Sequence, residues 1–384
     1  MFLKNSIKLI GVLAVASVVW FLHQSSVSKA SMTDEGAAGP AANAPAAPKA
    51  DQDVFRGMAI QINYVSNGIE PYLEMIDEVA ALGANTVGLS TAGYQDHAGS
   101  AGIFLDARWC PSKEQFKQLI ARARSHGLKV AIMPVVLLKN PQDTEWRGVI
   151  KPPDWDAWFA SYLEFIKYFA EVGLENDAEM LVVGAELIST EGFRERWTKL
   201  IGEIRKIYHG KLLYSSNWDH YREVSFWDQL DVIGMTTYHK LSDKENPPLT
   251  TLLGSWSKIK REILDWQKTV NKPILFTEVG WCSQPGASIE AWNYYRHQKP
   301  SAEGLEEQKK CYEAFIRTWD DEATVAGAMW WEWTPGPGGE ADHGYTPKAK
   351  PAERVLRDWY QKGKVLRSAM RAEKTALEAE AQKN

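Results

Sequence analysis

The chain has 384 residues, 45% hydrophobic and 24% charged, and a net charge of −5 at neutral pH. That is an ordinary globular balance with ample material for a core, and it argues against nucleic acid as a partner, which calls for a basic face. Three cysteines, Cys110, Cys282 and Cys311, are too few for a disulfide framework, and no CxxC pair or Cys/His cluster is spaced to hold zinc.

In chain order the first segment is not part of a fold. Lys4 and Lys8 precede an apolar run from Leu9 to Leu22, and Ser28-Lys29-Ala30 follows as a small-x-small site. A charged n-region, an apolar h-region too short for a comfortable membrane span and a cleavage site together read as an export signal over residues 1–30. The alternative is that the same segment stays on as a membrane tether; either way the body is expected outside the cytoplasm. Residues 31–53 read as a linker. Their Ala/Pro-rich stretch GAAGPAANAPAAPKA cannot bury a core.

From residue 54 to 362, short apolar runs alternate with helical periodicity, the pattern of βα units around a parallel sheet. Eight strands are predicted, over 57–63, 85–91, 129–137, 180–186, 212–217, 231–237, 273–278 and 325–331. Helices are predicted over 113–126, ended by Gly127, and over 155–172, ended by Gly173, since glycine just past a helix suits an αβ connection. The region 220–230 reads as short and irregular. Eight strands in strict alternation favour a closed (β/α)₈ TIM barrel, a single catalytic domain, over a doubly wound sheet. Residues 363–384 are charged and Ala-rich and read as a solvated helical tail.

The active site of such a barrel lies at the C-terminal ends of its strands. Strand four ends in Glu186 and strand seven in Glu278. A strand-end glutamate in so apolar a run is costly unless it works or is paired, and neither strand carries a cation of its own. Simple alternation, with Gly184 and Phe276 pointing into the barrel, puts both carboxyls at its mouth. Two facing carboxylates suit glycosidic bond cleavage, one protonated as acid and the other ionised as nucleophile. Aromatic residues crowd the same strand ends: Trp218, Tyr238, Trp281, Trp330, Trp331 and Trp333. Together with a total of 17 tryptophans, they suggest flat rings that stack on sugar faces, several others being plain core.

The segments TAGYQDHA (91–98), EWRGVI (145–150), WDAWFASY (155–162), VVGAELIST (182–190), YSSNW (214–218), FWDQLDVIGMTTY (226–238), ILFTEVGW (274–281) and GAMWWEW (327–333) carry a family resemblance. In order and spacing the chain resembles the clan A glycoside hydrolases, and among them the endo-β-1,4-mannanases of family 113. The resemblance implies Glu186 as acid/base, Glu278 as nucleophile, Tyr238 as the hydroxyl that positions the nucleophile, and Trp331 as the platform under the cleaved sugar. It implies Asn217 and Trp218 as substrate contacts, and Trp281 and Trp333 fall among the aromatic candidates of the same cleft. The partner expected is a β-linked polysaccharide, β-1,4-mannan or a relative, cleaved with retention and without cofactor or metal. Two positions depart from the family pattern: Ala185 stands where many clan members have Asn, and Met133-Pro134-Val135 where Lys-Pro-His is often found. Both remove polar groups near the cleaved sugar, so selectivity for mannose is expected to be modest.

Overall fold

The fold was analysed in a computed structural model that describes residues 54–363. The export signal or tether, the linker and the tail beyond residue 363 lie outside the described residues. Eight parallel strands close into a barrel: β1 (Phe55–Ile62), β2 (Thr86–Gln95), β4 (Lys129–Leu138), β5 (Met180–Ala185), β6 (Lys211–Ser216), β7 (Val232–Thr236), β8 (Ile274–Val279) and β9 (Val325–Trp333). Closure comes from β1, which pairs in parallel with both β2 and β9. A two-residue β3 (Ile103–Phe104) pairs antiparallel with the end of β2. All eight expected strands are present, and the region 220–230 holds only a 3-10 turn at Trp227–Gln229.

Six helices pack outside: α1 (Glu70–Leu82), α2 (Lys113–Ser125), α3 (Trp155–Glu175), α4 (Arg194–Arg205), α5 (Leu249–Val270) and α6 (Ala302–Trp319). A further helical stretch covers residues 351–363. The local reasons are plain in α2. Ser112 and Gln115 close a reciprocal capping box at its start, Phe116, Leu119, Ile120 and Ala123 form the buried stripe, and Gly127 follows with φ +73°. Gly173 behaves differently from the sequence expectation. It lies inside α3, which runs on to Glu175, and a Cβ there would come within 2.8 Å of the Tyr208 ring. The glycine admits that ring and does not end the helix.

The barrel interior is a small apolar cluster of Phe55, Ala131, Met133, Met180, Val182, Leu213, Val232, Leu275 and Met329. Met329 fills the centre so closely that a Cβ on Gly57 would lie 2.1 Å from its sulfur. The larger cluster lies between strands and helices. It absorbs much of the tryptophan surplus: Trp158, Trp197, Trp256, Trp281, Trp319 and Trp330 are all fully buried there. A good part of the unusual composition is therefore a packing material for the outer layer.

Simple alternation also fails where it matters most. Leu275 faces the interior while Phe276 points outward onto Phe315 and Trp319, with ring centroids 5.3 and 4.7 Å away. Strict alternation would then send Glu278 outward too. Register breaks of β8 against both neighbours, between Met235 and Thr236 of β7 and between Phe276 and Val279 of β8 itself, reset the direction. A bulge re-aims one side chain at the cost of a ladder pairing. In β5 a similar break falls between Val182 and Ala185. The Gly184 Cβ position faces Trp197, Tyr214 and Tyr162 in the outer layer, so it does not point into the barrel as expected.

Candidate active site

Glu186 follows β5 with φ +52°, a left-handed conformation unusual for a side-chain-bearing residue. Holding it costs on the order of 1–3 kcal/mol unless the surroundings fix it. They do: the Glu186 amide donates to the Ser215 carbonyl at 2.8 Å, and the next amide, Leu187, donates to the Tyr214 hydroxyl at 2.9 Å. Tyr214 in turn donates to Glu191 Oε1 at 2.8 Å, deep in the outer layer. Burial pushes the Glu191 carboxyl up to about 8, against the lowering effect of Tyr214.

On the facing side, Glu278 accepts a hydrogen bond from the Tyr238 hydroxyl at 2.7 Å. Its backbone carbonyl takes both the Thr237 amide and hydroxyl, each at 3.0 Å. Below it, Thr277 and Ser215 hydroxyls meet at 2.6 Å inside the barrel. Burial first, then the Glu186 charge, push the Glu278 carboxyl up to about 7, while Arg147 and Tyr238 act in the opposite direction.

Arg147, on a 3-10 turn after β4, is the cation that neither glutamate strand supplies. Its guanidinium meets Glu186 Oε2 at 2.5 Å, and both side chains are only 6% exposed. Its Nε has no partner among the described residues. The motif EWRGVI contains this arginine, but nothing in the sequence indicates that a residue 39 positions before Glu186 closes onto it.

The other expected contacts divide. Asn217 and Trp218 are half-buried just past β6; the Asn217 amide donates to Asp219 at 2.9 Å, and the Trp218 ring lies 5.1 Å from His239. His239 is buried and its pKa is lowered by burial to about 4, so it is a neutral wall behind Trp218. Trp331 on β9 belongs to neither apolar cluster and stands one strand over from Glu278, where its carbonyl packs against Gly280. Trp281 does not reach the cleft. It is fully buried among Trp256, Tyr312 and Phe315. Trp330 likewise stacks on Tyr312 at 4.3 Å behind the barrel. Trp333 is buried and donates its Nε1–H to Glu78 of α1 at 2.7 Å. All three alternate or turn away from the mouth, and the run WWEW gives no sign of which ring does so.

A third carboxyl was not anticipated. Glu332, between Trp331 and Trp333, is pushed up to about 8 by burial, then by the charges of Glu278 and Asp342. The site thus sets Glu186, just past β5, and Glu278 of β8 around one guanidinium, with a tyrosine hydroxyl on Glu278 and the Glu332 carboxyl of β9 within reach of its charge. Chemically, two buried carboxyls at the barrel mouth can serve one as proton donor and the other as nucleophile or base, which is what glycosidic bond cleavage requires.

Comparison with known proteins identifies the family to which this barrel belongs. No curated protein sequence matches the chain. Among solved structures, the family 113 β-mannanase of Alicyclobacillus acidocaldarius shares 28% identity, with a TM-score of 0.72, over 82% of this chain and 99% of its own. A second family 113 β-1,4-mannanase shares 26% identity over 80% of this chain and 99% of its own, with a TM-score of 0.71. A β-glucuronidase of Faecalibacterium prausnitzii, 12% identical, has a TM-score of 0.56 over 80% of this chain and 49% of its own, a likeness of fold alone. The family model for Glycoside Hydrolase Family 113 matches residues 67–346, most of the folded body. The chain therefore belongs to glycoside hydrolase family 113.

Proposed function

We propose that this glycoside hydrolase cleaves β-1,4-mannan or a closely related β-linked polysaccharide by double displacement with retention. Glu278 attacks the anomeric carbon while Glu186 protonates the leaving oxygen; Glu186 then deprotonates water to free the sugar. The observation that carries this reading is the pair Glu186 and Glu278, each buried at the barrel mouth, with the Tyr238 hydroxyl 2.7 Å from Glu278. Trp331 is assigned as the platform under the cleaved sugar, and Asn217 and Trp218 as further contacts. Similarity to solved β-mannanases over nearly their whole length supports the substrate class.

The charge pattern adds a requirement. Arg147 occupies Glu186 Oε2 at 2.5 Å, whereas an acid must have a carboxyl oxygen free to carry its proton to the leaving group. The assignment therefore needs the Arg147–Glu186 pair to open as sugar binds, after which the two carboxylates share one proton and Tyr238 favours leaving Glu278 charged. Export, or tethering outside the membrane, is part of the same proposal and rests on the first 30 residues alone.

The test is reducing-sugar release from a panel of β-glycans, followed by kcat/KM on mannohexaose and cellohexaose. Ala185 is buried beside the acid/base and its side chain has no polar atom to offer a 2-hydroxyl, so mannan is expected to be preferred by a modest factor. A preference above about 10⁴-fold would show that other polar groups read that hydroxyl. No cleavage of any β-glycan would overturn the assignment in favour of a binding barrel.

A further inference from the structure

The segment between β8 and α6 carries more structure than a connection needs. Glu307, fully buried on α6, accepts hydrogen bonds from the Gly286 and Ser288 amides at 2.9 Å, the Ser288 hydroxyl at 2.6 Å and the Asn246 amide at 2.6 Å. Gln284, also fully buried, holds the far side of the same segment through Asn293, His297 and Gln298 at 2.8–3.1 Å. A buried carboxylate satisfied by four donors fixes its loop. What this rigid loop presents is Tyr294 and Tyr295.

Those rings continue a line that begins at the reacting carboxylate. Tyr238, bonded to Glu278, lies 6.3 Å from Tyr345 between centroids; Tyr345 lies 6.4 Å from Tyr294; Tyr294 lies 3.9 Å from Tyr295, which is 48% exposed. The Tyr345 hydroxyl is tied to the Ala291 carbonyl of the loop at 2.7 Å, so the line is held together. Beside it stands Glu332, which feels the charge of Glu278 and itself acts on Tyr294 and Tyr345. No described residue offers its carboxyl a hydrogen bond or ion pair. An acceptor left without a protein donor, near tyrosine rings that end in an exposed one, suits a ligand that brings hydroxyl donors on one side and C–H groups on the other.

We infer that Glu332, Tyr345, Tyr294 and Tyr295 form an additional subsite for an uncharged hexopyranosyl unit of the same β-linked chain, away from the point of cleavage. The class excludes acidic sugars: a uronate would meet the carboxyls of Glu332 and Glu278 with no described cation at Glu332 to receive it. This inference rests on the reading of the cleft as a polysaccharide site, but it is separable from the catalytic roles.

Calorimetric titration of mannobiose, mannotetraose and mannohexaose tests it, with Tyr295→Ala, Tyr295→Phe, Glu332→Gln and the chain that is wild type at both positions all carried in a Glu278→Gln background so that no sugar turns over. The wild type should bind the hexaose more tightly than the biose. Tyr295→Ala should weaken hexaose binding by roughly 5- to 150-fold, by analogy with the loss of aromatic stacking platforms, with little change for the biose. Tyr295→Phe keeps the ring and should bind like the wild type, and Glu332→Gln should weaken the hexaose selectively. Wild-type binding that ignores chain length, or a Tyr295→Ala variant that binds every length normally, would overturn the subsite. If binding follows the expected pattern but the protein with Glu278 intact hydrolyses no β-glycan, the subsite stands and the catalytic reading falls.

Discussion

Glu191 provides a quantitative test of the electrostatics behind the acid/base residue. Its carboxyl is 1% exposed, bonded only to Tyr214 on one oxygen, with no partner for the other. Burial raises it from the ordinary 4.5 to about 8. A carboxyl raised in the folded state holds a proton that the unfolded chain has released. Its stabilising contribution is therefore intact below pH 4.5 and is lost as the pH climbs through about 8. Each unit of separation is worth about 1.4 kcal/mol, so the loss by pH 8 is about 3–5 kcal/mol. Glu191→Gln removes this titration while keeping an acceptor for Tyr214, and it leaves a donor unsatisfied where the acid O–H was. Denaturant unfolding of both proteins at pH 4.5 and pH 8 measures the difference. The variant should gain on the wild type by that amount between the two pH values, whatever the constant offset. A pH-independent offset would mean that Glu191 is ionised in the fold, and the argument for a neutral carboxyl behind Glu186 would be refuted.

Other outcomes follow from the same geometry. Arg147→Gln removes a cation that lowers Glu278, so both limbs of the pH profile of kcat/KM should move to higher pH; unmoved limbs would show that the guanidinium does not act on the pair. Tyr238→Phe takes away a hydrogen bond to a charged group worth about 1.5–3 kcal/mol, and the acid limb should rise with a loss in kcat/KM; a lower KM with kcat intact would contradict that role. Trp331→Ala should weaken sugar binding by roughly 1–3 kcal/mol and leave the fold standing. Trp281→Ala should instead destabilise by about 3–5 kcal/mol, and the reverse pattern in thermal melts and titrations would exchange the two assignments.

The comparison of Trp331 with Trp281 shows how far the sequence could be read. Hydrophobic periodicity located all eight strands, because buried parallel strands and amphipathic helices differ in period and length. Strand ends then located Glu186 and Glu278, since a carboxyl closing an apolar run stands out. Direction was less accessible. Phe276 faces outward and Glu278 is redirected by a break in register, which depends on pairing with β7 and β9 and leaves no mark in β8 itself. Arg147 was hidden for a related reason: its contact with Glu186 is made by the fold across two separate loops. Glu332 was masked by its neighbours, as one polar letter between tryptophans looks like the solvent side of a strand. The tryptophan count pointed toward sugar, yet six of those rings are fully buried, because a layer between barrel and helices is also well filled by large flat side chains.

The central claim is that Glu278 forms a covalent bond to the sugar. A 2-fluoro-mannosyl fluoride supplies a good leaving group but slows the second step, so a retaining enzyme accumulates its intermediate. Peptide mass spectrometry of the inactivated protein should then find one added fluoromannosyl group on the peptide containing Glu278, absent from Glu278→Gln. A label on Glu186 or Glu332, or release of the first product with inverted anomeric configuration and no label at all, would contradict the account.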